Sequence, residues 1–246
     1  MTGRVLLVLY PAFLIGGVGL YIASRKVEPT VRRSRHIKFV TYFGIVNLFL
    51  FAVFAGPAIL TAIMLLVVAL GAREIFALLP RVSTGSPLLP VAIATAYVLI
   101  AIGAILFAWR TRPAVAVFVF LVVCTFEGLS QVSGQMFGKR RLSPTISPGK
   151  TIEGTAGGLL FAIGMALLLR PNGWTIATCL VIGTFVAAAS LTGDLIASWA
   201  KRRGGVKDYG TLIPGHGGIL DRFDSFLFVT AAWTAALQLI NFPKQP

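Results

Sequence analysis

The sequence predicts an all-α protein: a polytopic bundle of about eight membrane-spanning helices, with residues 1–246 forming one membrane domain. Three observations carry that expectation. Hydrophobic residues make up 57% of the chain and charged residues 12%, with mean hydropathy +0.86, far too apolar for a water-soluble domain. The apolar residues fall in runs of about 20, the length an α-helix needs to cross the hydrocarbon layer. Those runs show no strong period-two alternation, which leaves helices as the way to satisfy backbone polar groups in lipid. A net charge of +14 would suggest nucleic acid in a soluble protein. Here the lysines and arginines lie between apolar runs, so membrane lipids with anionic headgroups and a phosphorylated substrate are the fitting partners, and nucleic acid is not. Cys124 and Cys179 both lie inside apolar runs and provide no disulfide framework.

Taken in order, the first predicted span is about Val5–Ala23, without a convincing cleavage site after Ile22 that would make it a removable leader. Arg25, Lys26, Arg32, Arg33, Arg35 and Lys38 follow, a basic segment that the positive-inside rule puts in the cytoplasm. Both chain ends are therefore expected outside. Spans two and three, about Phe39–Ala55 and Pro57–Leu79, are split at Gly56-Pro57. Arg73 and Glu74 in the third read as a structural salt bridge with each other, ahead of a role in the site. A Ser/Thr/Gly/Pro-rich turn covers Arg81 to Pro87. The fourth span, about Leu89–Trp109, closes on Arg110 and Arg112, which would be external and run against the charge rule. The fifth, about Pro113–Phe137, turns polar in its second half at Glu127, Ser130, Gln131, Ser133 and Gln135, so that half is expected to line a site. Residues 1–112 thus supply N-terminal helices, and residues 113–246 hold the residues of chemical interest.

The segment Gly138–Gly158 carries Lys139, Arg140, Arg141 and Lys150 and reads as a cytoplasmic loop. Its Ser147-Pro148-Gly149-Lys150-Thr151 resembles a phosphate-binding P-loop only superficially. Pro144 stands where the first glycine is required, and no strand is expected before it. Lys150, with the hydroxyls of Ser147 and Thr151, still offers donors for phosphate oxygens. Gly154, Gly157 and Gly158 suit close approach of another helix. The sixth and seventh spans are about Thr155–Leu169 and Trp174–Ala200, and Asp194, Ser198 and Lys201 share one face of the latter. The last is about Ile219–Ile240.

The densest chemistry lies between Ser198 and Ser225. Three of the eight acidic residues, Asp208, Asp221 and Asp224, fall there with Lys201, Arg202, Arg203, Lys207, Arg222 and His216, between long apolar runs. Asp221 and Asp224 are spaced to share a helical face, after a Pro-Gly-His-Gly-Gly turn. Paired carboxylates suit a hard divalent cation and the basic cluster suits a polyanion, which together suggest a metal–nucleotide site at a membrane edge.

Two segments, Phe137 to Gly154 and Ser198 to Asp224 (SxxKRxxxxKDxGxxxPGHGGxLDRxD), resemble the CDP-diacylglycerol synthases, or phosphatidate cytidylyltransferases. The resemblance covers about Cys124 to Asp224. It implies an inner-membrane enzyme with a cytoplasmic active site that joins CTP and phosphatidate into CDP-diacylglycerol and releases pyrophosphate. It further implies Mg2+ on Asp194 and Asp221, with Asp224 helping, and leaves a second, monovalent cation and a homodimer open. Lys201, Arg202, Lys207, Asp208, His216 and Arg222 are the expected catalytic set; Glu127, Ser147, Lys150, Thr151 and Ser198 are expected to bind substrate. His216 fits a phosphate donor and a turn-stabilising residue equally. Glu127 departs from the family pattern, which carries an aspartate there. Rival readings are a related enzyme using CTP on an archaeol-type or polyprenyl phosphate, and a non-catalytic partner or transporter. A transporter would hold its charges near the bilayer midplane; here they collect at one face.

Overall fold

The computed structural model describes residues 2–25, 28–82, 87–213 and 217–239. Predicted features at Lys26, in the 83–86 part of the turn, at His216 and at Ile240 lie outside them. Within them the chain forms eight helices and one β-hairpin, in the order α1 (Thr2–Ser24), α2 (Pro29–Ala55), α3 (Pro57–Val82), α4 (Leu88–Arg110), α5 (Pro113–Phe137), β1 (Arg141–Ser143), β2 (Ser147–Thr151), α6 (Ile152–Leu168), α7 (Ile176–Arg203) and α8 (Leu220–Leu239). Five of these, α2, α3, α4, α5 and α7, are long and apolar enough to cross a bilayer. The protein is an integral membrane helical bundle.

Two boundaries differ from expectation for local reasons. Proline at the first helical position, where its missing N–H costs nothing, starts α2 at Pro29. Arg32, Arg33, Arg35 and Lys38 therefore ride on the first turns of a helix, not in a loop. Thr151 starts α6 early: its Oγ1 accepts from Gly154 N at 3.1 Å, and Glu153 occupies the electropositive first turn. The larger correction is the hairpin. The segment read as a loop forms two antiparallel strands, with Arg141 opposite Thr151 and Ser143 opposite Ser147, so a short strand does precede the Gly149-Lys150 pair. It is not the parallel βα unit of a P-loop, and Pro144 still occupies the glycine position.

Helix α5 is the central post. Val115 through Val123 are buried without interruption, as expected of a helix that is apolar all round. Phe120 of α5 stacks on Phe49 of α2 at 3.9 Å between centroids, and Phe226 of α8 meets both rings edge-on. Small residues set the close crossings. A Cβ on Gly154 would sit 2.7 Å from the Ser130 carbonyl oxygen, and one on Gly103 would sit 2.7 Å from Ala231 Cα. The first ties α6 to α5, as the glycines of α6 predict, and the second ties α4 to α8. Helices α4 and α7 each pack along α8 yet scarcely touch one another, leaving a cleft between them.

Candidate active site

The hairpin delivers a lysine to two helices. Lys150, on β2, places its Nζ 2.8 Å from Asp194 Oδ2 on α7 and 3.4 Å from Glu127 Oε2 on α5. Burial by itself would push the Lys150 ammonium's pKa down. The charges of Glu127 and Asp194, and the hydrogen bonds they accept, outweigh burial and raise it, so Lys150 is a cation throughout the physiological range. The other Glu127 oxygen accepts from Ser190 Oγ at 2.6 Å and from Ser225 Oγ at 3.1 Å. Neither serine was singled out from sequence. The available signal was that Ser190 precedes Asp194 by four residues on α7 and that Ser225 adjoins Asp224.

A second lysine–carboxylate pair lies deeper. Lys201 Nζ is 2.9 Å from Asp221 Oδ1, with side-chain exposures of 10% and 2%. The Tyr209 ring also faces Lys201 Nζ, 5.0 Å from its centroid. Asp221 Oδ2 accepts from the backbone N–H groups of Tyr209 and Gly218, each at 2.8 Å. Gly217 makes this possible: its φ of +85° is a glycine conformation, and a Cβ there would lie 2.7 Å from that oxygen. Ile213 N donates to Gly217 O at 2.7 Å across the predicted turn. The Tyr209 hydroxyl donates to Ala197 O. Burial, reinforced by nearby carboxylates with Asp224 first, pushes this phenol far above its ordinary pKa and keeps it neutral.

Glu74 does not pair with Arg73. Its carboxylate accepts from Ile219 N and Leu220 N, each at 2.9 Å, and so satisfies the first backbone donors of α8. The sequence placed Glu74 and α8 145 residues apart, and only the packing of α3 under the last loop joins them.

The remaining predicted residues divide. Arg202 is exposed and ties α7 to the hairpin turn, donating to Ile146 O at 3.3 Å and to Val206 O at 3.3 Å. Lys207, Asp208 and Arg222 are exposed around the same end of the bundle. Ser198 is buried on α7, and Ser147 holds the hairpin register opposite Ser143. Thr151 is buried, and its hydroxyl oxygen accepts from Gly154 N in capping α6. The polar half of α5 also does less than expected. Glu127 alone reaches the cluster; Ser130 and Ser133 abut the α6 glycines, and Gln131 and Gln135 are exposed.

The donor set can be tested for a divalent cation. Asp221 is a poor ligand as placed, because Lys201 and two backbone donors already occupy both oxygens. Asp194 and Asp224 are better suited. They lie on adjacent helices, close enough for their charges to interact, and among the described residues the hydrogen bond to the Asp224 carboxylate comes from its neighbour Ser225 N. No three His, Cys, Asp or Glu side chains among the described residues converge into a cage. Mg2+ needs none, since one or two carboxylates with substrate phosphates and water complete its octahedron. The residues fit such a cation through Asp194 and Asp224.

An apolar helical bundle with an acid–lysine cluster at one end defines the class, an integral membrane protein with charged groups gathered at one end of its helices. Residues 105–240, more than half of the chain, match the profile of the cytidylyltransferase family, and the chain belongs to it. Among curated proteins it is similar to the phosphatidate cytidylyltransferases of Staphylococcus epidermidis (44% identical over 118 residues), Staphylococcus saprophyticus (43% over 115) and Staphylococcus aureus (43% over 119). Each match covers 46% of this chain and 44% of the relative, so the chain spans less than half the length of the curated relatives it matches.

Proposed function

We propose that this protein is a CTP-dependent phosphatidate cytidylyltransferase. The phosphate oxygen of phosphatidate attacks the α-phosphorus of CTP, the bond to the β-phosphate oxygen breaks, pyrophosphate leaves, and CDP-diacylglycerol forms. The observation that carries this reading is Lys150, held between Glu127 and Asp194 at one end of an apolar bundle, with Asp224 near enough to both carboxylates for their charges to interact, inside the segment that matches the family.

The residues suit the chemistry without a protein nucleophile, because a phosphate monoester is itself anionic and nucleophilic. What remains is to align two polyanions and offset their repulsion. Lys150 supplies a cation that Glu127 and Asp194 aim from two sides. Ser190 and Ser225 fix the Glu127 carboxylate, so the ammonium keeps its position when phosphate arrives. Arg202, Lys207 and Arg222 form an exposed basic rim suited to the triphosphate. Asp194 and Asp224 would hold Mg2+, which when bound neutralises phosphate charge and favours departure of pyrophosphate. Lys201 and Asp221 act indirectly, by fixing Tyr209 and Gly218 ahead of α8.

We further propose an inner-membrane location with this end of the bundle in the cytoplasm, on the strength of the basic residues gathered there. A cysteine introduced at Ser143 should resist a membrane-impermeant thiol reagent in intact cells and react in inverted vesicles; labelling from outside would reverse the orientation. For the activity, detergent-purified protein with labelled CTP, Mg2+ and phosphatidate should release one pyrophosphate per CDP-diacylglycerol formed. Product with a polyprenyl or archaeol-type phosphate, but none with phosphatidate, would replace the lipid in this reading. No CTP consumption with any lipid phosphate would overturn it.

A further inference from the structure

At the end of the bundle away from Lys150, two short connections meet: Gly56 between α2 and α3, and Thr111 with Arg112 between α4 and α5. They border a cavity of about 230 Å³. Val53, Leu60 and Ala108 are buried at its floor, and Trp109, Arg110 and Arg112 are exposed at its rim. These are the two arginines that run against the charge rule. Arg110 has a local use, since it lies in the last turn of α4 and offsets the carbonyl dipoles there. Arg112 has the opposite setting. It immediately precedes Pro113, where the positive end of α5 begins, and Pro57 opens the positive end of α3 on the same cavity. A cation between two positive helix ends favours a bound anion, and no acidic side chain is near. Glu74 lies 17 residues along α3 from Pro57, about 25 Å, and Glu127 lies 14 residues along α5 from Pro113, about 21 Å. Glu28 precedes α2 at its far end, and the other five acidic residues belong to the hairpin end of the bundle.

We propose that this cavity binds the phosphate headgroup of an anionic phospholipid from the leaflet opposite the Lys150 cluster. Helices α4 and α5, of 23 and 25 residues, span about 35 Å between the two ends, so the cavity opens at the other surface of the bilayer. The guanidinium groups of Arg110 and Arg112 offer forked donors that match phosphate oxygens. A soluble anion would need nothing more. The indole of Trp109, 60% exposed beside Arg110, and the apolar floor suit the glycerol and first acyl carbons that a lipid brings with its phosphate. The volume falls below the roughly 300–1,000 Å³ of sites that enclose a whole small molecule, which fits a headgroup whose chains stay in the bilayer. No bond is made or broken, and the site is separate from the reaction at Lys150. A lipid bound here ties the α2–α3 connection to the α4–α5 connection and stabilises the folded bundle by mass action.

The test is a lipid titration of the full chain in detergent, read as Tm. Dioleoyl phosphatidylglycerol should raise the Tm of the parent by several degrees more than dioleoyl phosphatidylcholine at the same mole fraction. In Arg110→Gln/Arg112→Gln less than half of that difference should survive, with the apparent Kd for phosphatidylglycerol about tenfold weaker. Arg33→Gln/Arg35→Gln, at the other end of α2, should keep it. No difference between the two lipids in the parent, or more than half of it surviving in Arg110→Gln/Arg112→Gln, overturns the proposal. Soluble glycerol phosphate that stabilises the parent as strongly as phosphatidylglycerol would assign the cavity to a free phosphate and overturn the lipid. Should the double variant fail to fold, Trp109 decides. Phosphatidylglycerol brominated on its upper acyl carbons should quench the fluorescence that Trp109→Phe lacks at least twofold more strongly than brominated phosphatidylcholine does. Equal quenching by the two lipids overturns the site.

Discussion

Two lysines reach carboxylates in this bundle, and their surroundings differ. Lys201 and Asp221 are almost sealed from solvent, at 10% and 2% exposure, and every Asp221 oxygen is satisfied by protein. Lys150, Glu127 and Asp194 keep 19%, 32% and 20% of their side-chain surface open. The sealed pair cannot release a partner to a ligand without stranding a buried charge. The open trio can, because water or phosphate can replace a protein contact at modest cost. Both sites have the same chemistry, so its setting decides that one holds a loop in place and the other stays open, as the proposed substrate site requires.

The largest effect should come from breaking the sealed pair. Asp221→Ala takes from Lys201 its directly bonded carboxylate and leaves two backbone donors without an acceptor, costing about 3–5 kcal/mol. Thermal unfolding in detergent should show a drop of many degrees, with turnover lost as a consequence. A Tm equal to the parent's would mean that Asp221 is not the anchor described here. Lys150→Met should do the reverse. Turnover should fall by roughly 10²–10³, the usual scale for losing one preorganised charge contact to a reacting phosphate, while the Tm stays close to the parent's. Asp194→Ala should follow Lys150→Met, with lost turnover and a near-parental Tm.

Glu127 gives a finer comparison. Glu127→Ala frees Lys150 from one side and leaves Ser190 and Ser225 without their acceptor, so most activity should go. Glu127→Asp withdraws the carboxylate by about one carbon–carbon bond, ~1.5 Å, and should retain a substantial share. Parental turnover in Glu127→Ala would remove this carboxylate from the mechanism. Smaller again is Glu74→Ala, which uncaps α8. It should cost about 1–2 kcal/mol in unfolding and leave the KM for CTP unchanged.

The smallest effect separates the open trio by pH. The pKa of Lys150 is raised in the folded protein above its ordinary 10.5. Its pairing therefore contributes stability that is fully present below 10.5 and fades as pH climbs through the higher folded value. The Tm difference between the parent and Lys150→Met should be flat from pH 6 to about 9 and narrow only above 10.5. A difference that already changes near neutrality would mean that Lys150 is not held as a cation by these two carboxylates.

Much of the molecule is legible in its sequence. Apolar runs located the helices of the described residues, since in lipid the backbone has no other local way to bond itself. Gly56-Pro57 and Pro113 marked true helix starts because proline acts within a single residue. The hairpin escaped notice because three- and five-residue strands give too little alternation to read, and pairing of Arg141 with Thr151 stabilises them. Asp194, Asp221, Asp224, Lys150 and Lys201 stood out by sequence alone, as charges in an apolar chain. Which carboxylate each lysine takes was not legible. Lys150 is 44 residues from Asp194, Glu74 lies 145 from the N–H it caps, and Ser190 lies 63 from Glu127. Charge and hydrophobicity are properties of single residues and short runs, so the sequence by itself determined the membrane bundle, the family and the pool of charged groups. Saturation and burial belong to the assembled surroundings, so only the packing of α3, α5, α7, α8 and the hairpin decided which of those groups became an anchor and which stayed open to a ligand.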